Sequence, residues 1–263
     1  MRKYWFIYKS EVMTALQYMG DFLLHATGYV LMIFIFINLW NYMYDDPTQL
    51  INGYSKSQMI WYVIFTEILW SSSGGRKFCR KICNDVRTGN IAYNINKPYS
   101  YVGYVLFNHL GEATIKAAIY ILIGMTMGAI FVGNVPSISI LSFVFLVLAS
   151  VFAIVINDLF TIIVSLVSFF IEDSTPLYWL YSKFLLIVGT IFPLELFPEQ
   201  LQGFIKCSPI YVINYGPAKI FVDFSLDLGL RVIGTQLIYI FVVSLLCLLV
   251  FKRGARKLTI NGG

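Results

Sequence analysis

RKFCRKICNDVRTGNIAYNINKPYS, residues 76–100, is the one strongly polar, strongly basic passage in a chain that is otherwise oily. It carries six Lys and Arg (Arg76, Lys77, Arg80, Lys81, Arg87, Lys97) against one acid, Asp85. Wound as a helix, it puts Cys79, Ile82, Cys83 and Val86 on one stripe and gives the remaining surface to Arg76, Lys77, Arg80, Lys81, Asn84, Asp85 and Arg87. Gly89 stops that helix and Lys97-Pro98 closes the segment. What this charge is for depends on which side of a membrane it lies.

The membrane is implied by composition. Of 263 residues, 58% are hydrophobic and 13% charged, with a mean hydropathy of +0.73. Soluble domains carry roughly 25% charged residues. Apolar runs near the ~20 residues needed to cross a bilayer recur along the chain, and weak alternating ten-residue segments of a β-barrel do not. The expectation is an all-α membrane protein with six crossings, at residues 22–44, 58–75, 101–132, 138–171, 177–192 and 232–251. The fourth run is too long for one upright span, so it is expected to tilt, protrude or break, with Asn157-Asp158 as the weak point.

Residues 1–20 read as an amphipathic interface helix, with Trp5, Tyr8, Val12, Leu16 and Met19 on one side. Lys9 and Glu11 interrupt any secretory signal core. Between the fifth and sixth crossings, prolines at 193, 198, 209 and 217 preclude one regular helix in a stretch too apolar for a free loop. A re-entrant hairpin over 193–217 fits, where protein shields the backbone.

Charge bias sets the orientation. The N-terminal segment, the 76–97 segment and the tail hold 13 of the 19 Lys and Arg, while 45–57, 133–137 and 195–231 are neutral or acidic. Both termini and the basic connector at 76–98 are therefore expected in the cytoplasm. The connector then either rests on anionic lipid or docks a cytoplasmic partner.

Ionisable groups within spans are costly and are candidate pathway or interface residues. They are Glu67, Glu112, Lys116 and Asp158. Glu112 and Lys116, four apart, are expected to pair, and His109 to make a structural hydrogen bond. Glu67 has no partner on its own helix, so it lines a path or interface, or bonds a neighbouring helix. Asp158 is expected to cap the helix break or reach the interface. The four cysteines form no framework and His25 and His109 lack metal-ligand spacing. No catalytic motif is present, and nothing has the architecture of a nucleic-acid module.

Two passages resemble a known family. Asp85, Arg87, Gly89, Lys97, Pro98 and Ser100 match the connector after the second helix of ABC-2 type transporter permeases. Gly189, Pro193, Phe197, Pro198, Ser208, Pro209, Gly216 and Pro217 match its extracellular hairpin between helices five and six. The chain looks closest to small stand-alone permeases of the type V exporter fold.

The resemblance implies the permease subunit of an ATP-driven exporter in the plasma membrane. It would form a path with a second permease, identical or related, within membrane lipid. Separate ABC ATPase subunits would bind ATP and Mg and dock on Arg80, Lys81, Asp85, Arg87, Gly89, Lys97 and Pro98. Pro193, Phe197, Pro198, Pro209 and Pro217 would shape the outer gate. No G-x-x-x-x-G-K-[ST] occurs in the chain, which agrees with a separate ATPase and no catalytic role or cofactor of its own. The alternatives are a membrane scaffold or lipid-processing enzyme, and, third, a secondary transporter, although the halves show no internal repeat.

Overall fold

A computed structural model describes residues 2–261 apart from Pro47, Asn96 and Asn134; the side chains of His25, Ile95 and residues 258–261 are also outside the description. The expectations for His25 and for the neutral segment 133–137 therefore fall wholly or partly outside the described residues. In chain order, α1 (Arg2–Gln17) and α2 (Met19–Met43) precede a small antiparallel hairpin of β1 (Leu50–Ile51) and β2 (Tyr54–Ser55). Then follow α3 (Lys56–Ser72), α4 (Arg76–Arg87), α5 (Asn90–Ile95), α6 (Tyr101–Phe131) and α7 (Ile140–Leu166), the last ending in a 3-10 turn, Val167–Phe169. α8 (Thr175–Phe184) runs into a π-helical stretch, Leu185–Ile191. A 3-10 turn (Leu194–Leu196), α9 (Glu199–Lys206) and a second π-helical stretch (Tyr211–Tyr215) lead to α10 (Gly216–Val222) and α11 (Leu226–Asn261).

Four helical segments among the described residues are long and apolar enough to cross a membrane: Met19–Met43, Tyr101–Phe131, Ile140–Phe169 and Leu226–Lys257. The second and fifth expected crossings are shorter. α3 has 17 residues, about 26 Å at ~1.5 Å each. The fifth is split between 10 α-helical and 7 π-helical residues.

α3 is nevertheless the core of the fold. Its residues from Met59 to Leu69 are all buried, among α2, α6, α10 and the first π-helical stretch. A capping box starts it: Ser55 Oγ accepts from the Gln58 N–H and Gln58 Oε1 accepts from the Ser55 N–H. Close approach to α6 depends on Gly128, where a Cβ would come within 2.2 Å of the Trp61 ring.

Two expectations need correction. α7 does not break at Asn157-Asp158; it is helical from Ile140 to Leu166. Both side chains find partners on other helices, so the backbone has no polar group to release. α1 also does more than lie on a surface. It packs along α6, with Tyr4 stacked on Phe107 at 5.2 Å and the Tyr8 and Thr114 hydroxyls 3.1 Å apart. Trp5 and Leu16, from the expected apolar stripe, remain exposed.

Candidate functional site

The basic stretch folds as its pattern requires. Phe78, Cys79, Ile82, Cys83 and Val86 are buried on one side of α4, and Arg76, Lys77, Arg80, Lys81 and Arg87 are exposed on the other. Gly89 ends the helix with φ +76° and α5 follows, a short helix not foreseen. Lys97 and Pro98 are exposed beyond it, and Lys3 of α1 donates to the Pro98 carbonyl. Asp85 faces inward instead: the Tyr101 hydroxyl donates to its Oδ2 at 2.8 Å. Lys81, though exposed, is also tied to the bundle: its Nζ donates to Asn108 Oδ1 of α6 at 2.7 Å.

Beside this face, Arg80, Cys83, Asn84 and Arg87 line a cleft of about 220 Å³ with Glu172, Asp173 and Thr175. The Cys79 and Cys83 sulfurs are 3.9 Å apart, and Cys83 Sγ is 3.1 Å from Ser174 Oγ. A hydrogen bond from the Cys79 thiol, helped by Ser174, pulls the Cys83 thiol down, while the same bond pushes Cys79 up. Asp173 is held below the usual carboxylate range by the Thr175 hydroxyl and N–H.

The junction between α3 and α4 is a polar joint. Gly74 and Gly75 have φ of +63° and +111°, a backbone that side-chain-bearing residues rarely adopt. Their N–H groups are taken by α7 and α8: Gly74 donates to Asp158 Oδ1 and Gly75 to the Tyr178 hydroxyl, each at 2.8 Å. Asp158, fully buried, also accepts from His109 Nδ1 at 2.9 Å, and Phe78 stacks on that imidazole at 4.0 Å. Asn157 donates to Ser73 Oγ at 2.8 Å and accepts from the Tyr181 hydroxyl at 2.7 Å. The two residues expected to break a helix instead fasten three others.

At its opposite end α3 meets the proline-rich hairpin. Pro193 is buried before the 3-10 turn, Phe197 is half-buried, and exposed Pro198 caps α9. Pro209 precedes the second π-helical stretch and buried Pro217 opens α10. The hairpin folds against α3 through its own backbone. Tyr62 donates to the Gly189 carbonyl and Thr66 to the Thr190 carbonyl, both at 3.1 Å, and Asn214 donates to Thr190 Oγ1 at 2.7 Å.

A family model described as "ABC-2 family transporter protein" matches residues 28–262. The chain belongs to the ABC-2 transporter family. It is a permease of an ABC transporter and a multi-pass membrane protein. No curated protein and no solved structure matches it.

The remaining polar residues of the permease separate by environment. Glu112 and Lys116 pair at 2.6 Å, as expected from their spacing. They border a cavity of about 410 Å³ between α1, α4 and α6, together with Glu11, Asp21, Lys77 and His109. Glu67 is buried in α3, and its Oε1 has no hydrogen-bond partner among the described residues. Among those residues no group of three or more His, Cys, Asp or Glu is placed to hold a metal ion. An apolar groove of about 490 Å³ runs between α6 and α7, lined by Ala113, Ala117, Ile121, Val147 and Ile154 among others.

Sequence reasoning missed Tyr178 and Tyr181, and it missed Glu195 and Lys219 in the hairpin. The partners of Tyr178, Tyr181 and Glu195 lie 20 to 141 residues away, while Lys219 pairs with Asp223 four residues on as well as with Glu195. The one available signal was a few charged residues in an otherwise apolar segment.

Proposed function

We propose that this permease is the transmembrane subunit of an ATP-driven exporter in the plasma membrane, with both termini cytoplasmic. α3 and the α8–π run complete six crossings, and the segment between α8 and α11 is a re-entrant outer hairpin. Two permeases, identical or related, form the path. Cytoplasmic ATPase subunits, which bind ATP and Mg, dock on residues 76–98. The carrying observation is the division of α4: its apolar side is sealed against the bundle while its guanidinium and ammonium groups face outward.

The mechanism follows from that attachment. Closure of the ATPases presses on α4, and the Gly74–Gly75 joint passes the displacement to α3. Because Asp158 and Tyr178 hold both glycine N–H groups, α4 cannot swing without carrying α7 and α8. Glu67, buried in α3, moves with the same helix and lies where a path or a permease–permease interface would feel it. A two-state element of this kind is what alternating access requires.

The test is purification of the tagged permease in mild detergent with identification of what accompanies it. The expected companion is an ATPase with a Walker motif, with or without a second permease. Replacing Arg80, Lys81 and Arg87 together by Glu is expected to release it while leaving the permease folded in the membrane. A permease that repeatedly purifies intact and alone would instead favour a scaffold or a lipid-processing enzyme. Retention of the ATPase by the charge-reversed variant would remove the docking assignment.

A further inference from the structure

We propose that Glu195 is the latch of the outer face: its carboxylate holds the hairpin, the β1–β2 loop and α10 together, and it must let go each time the permease discharges substrate. The inference deepens the exporter reading and rests on it. Glu195 lies on the 3-10 turn Leu194–Leu196, between Pro193 and Phe197. Two phenols donate to its two oxygens, Tyr215 to Oε1 at 2.7 Å and Tyr54 to Oε2 at 3.0 Å. Lys219 Nζ lies 3.7 Å from Oε1, 3.1 Å from Asp223 Oδ2 one turn on, and 4.3 Å from the centre of the Tyr54 ring, so one ammonium is shared by two carboxylates and a π-face. Asn52, held at φ +48°, donates its side-chain amide to the Glu195 carbonyl at 2.7 Å.

Two separate parts of the chain, 52–54 and 215–219, therefore converge on Glu195. Burial pushes both phenols far above their ordinary range, so Tyr54 and Tyr215 act as donors at any physiological pH. The carboxylate itself is about 30% exposed. That intermediate position suits a latch. A carboxylate in open water would gain little from its partners, and a fully buried one could not be parted from them without a large penalty. At the edge of solvent, water replaces the phenols as the turn lifts. Tyr54 precedes the capping residue of α3, so a pull on α3 from the connector side reaches Glu195 through Tyr54 directly.

The test reads exposure of the protein behind the latch. Thr190 is fully buried there, and native Cys207 on the hairpin is exposed. In purified permease carrying Cys207→Ser and Thr190→Cys, the rate of labelling by a maleimide is measured with and without changes at the latch. Glu195→Ala is expected to raise the rate about tenfold or more, as local opening becomes easier. Glu195→Gln, which points an amide N–H at one phenol and loses the charge facing Lys219, is expected to fall between.

Native Cys247, buried and donating to the Leu159 carbonyl away from the hairpin, should label at an unchanged rate. Thr190→Cys labelling that does not respond to Glu195, or that rises only in step with Cys247, would overturn the proposal. The reaction needs no ATPase. Failure of the latch and failure of the ATPase pull-down are thus separate results.

Discussion

α3 is held at both ends by a carboxylate from elsewhere in the chain, and the two carboxylates are built differently. At the α4 end Asp158 is fully buried and receives a backbone N–H and an imidazole. At the hairpin end Glu195 is partly exposed and receives two phenols and an ammonium. The first arrangement has no water to fall back on, so parting it leaves unpaired groups in the interior. The second can exchange each partner for solvent. Under the exporter reading proposed above, this asymmetry would give a rigid joint where force enters and a releasable one where substrate leaves.

The largest effect expected is from Asp158→Ala. Removing one member of a buried, hydrogen-bonded pair typically costs about 3–5 kcal/mol, and here both the Gly74 N–H and His109 lose their acceptor. Glu195→Ala should cost less, about 1–3 kcal/mol: the carboxylate lies at the edge of solvent, and the cost is that of leaving the buried Tyr54 and Tyr215 hydroxyls short of an acceptor. Unfolding of the two purified variants, followed by denaturant or heat, measures the difference. Equal losses would break the contrast between the joints.

A second comparison isolates the backbone. Gly74 and Gly53 both have positive φ, +63° and +84°, but a Cβ at Gly74 would sit 3.1 Å from Thr161 Oγ1, while one at Gly53 would meet nothing within 4 Å. Gly53→Ala should therefore show conformational strain alone, about 1 kcal/mol. Gly74→Ala should show strain plus crowding, about 2–3 kcal/mol. The same unfolding measurements check this pair. An equal cost at both positions would mean that the α3–α4 joint has more room than its contacts imply.

The sequence made local features legible. The stripe of Cys79, Ile82, Cys83 and Val86 and the Glu112–Lys116 pair depend on neighbours one turn apart, which periodicity reports directly; Phe78, buried beside that stripe, was not read from it. Long apolar runs announced α2, α6, α7 and α11. The polar joints were not legible, because their partners are set by which helices lie side by side. Asn157-Asp158 looked like a break since, within its own helix, it has no partner; α3, α6 and α8 supply them. Glu195 looked like an unremarkable loop acid for the same reason. α3 itself was foreseen, but not as the centre of the fold, since a run apolar on every face does not say what surrounds it.

The smallest expected effect sharpens the comparison by adding a third carboxylate. Glu112 pairs with Lys116 at 2.6 Å on one helix, and Lys116 also lies 5.6 Å from the centre of the Phe22 ring. The pair is closer than any made by Glu195, yet the carboxylate and the ammonium both belong to α6, so the ion pair itself fastens no second helix; the contact across helices is that of Lys116 with Phe22 of α2. The pair also borders a cavity, so Glu112 retains space for water once Lys116 is removed. A double-mutant cycle over Glu112→Gln and Lys116→Met should therefore give a coupling of only about 0.3–0.5 kcal/mol. A coupling above about 2 kcal/mol would show that distance alone ranks these carboxylates. A small one, beside a large Asp158 effect, would show that what counts is how many separate helices a buried carboxylate holds.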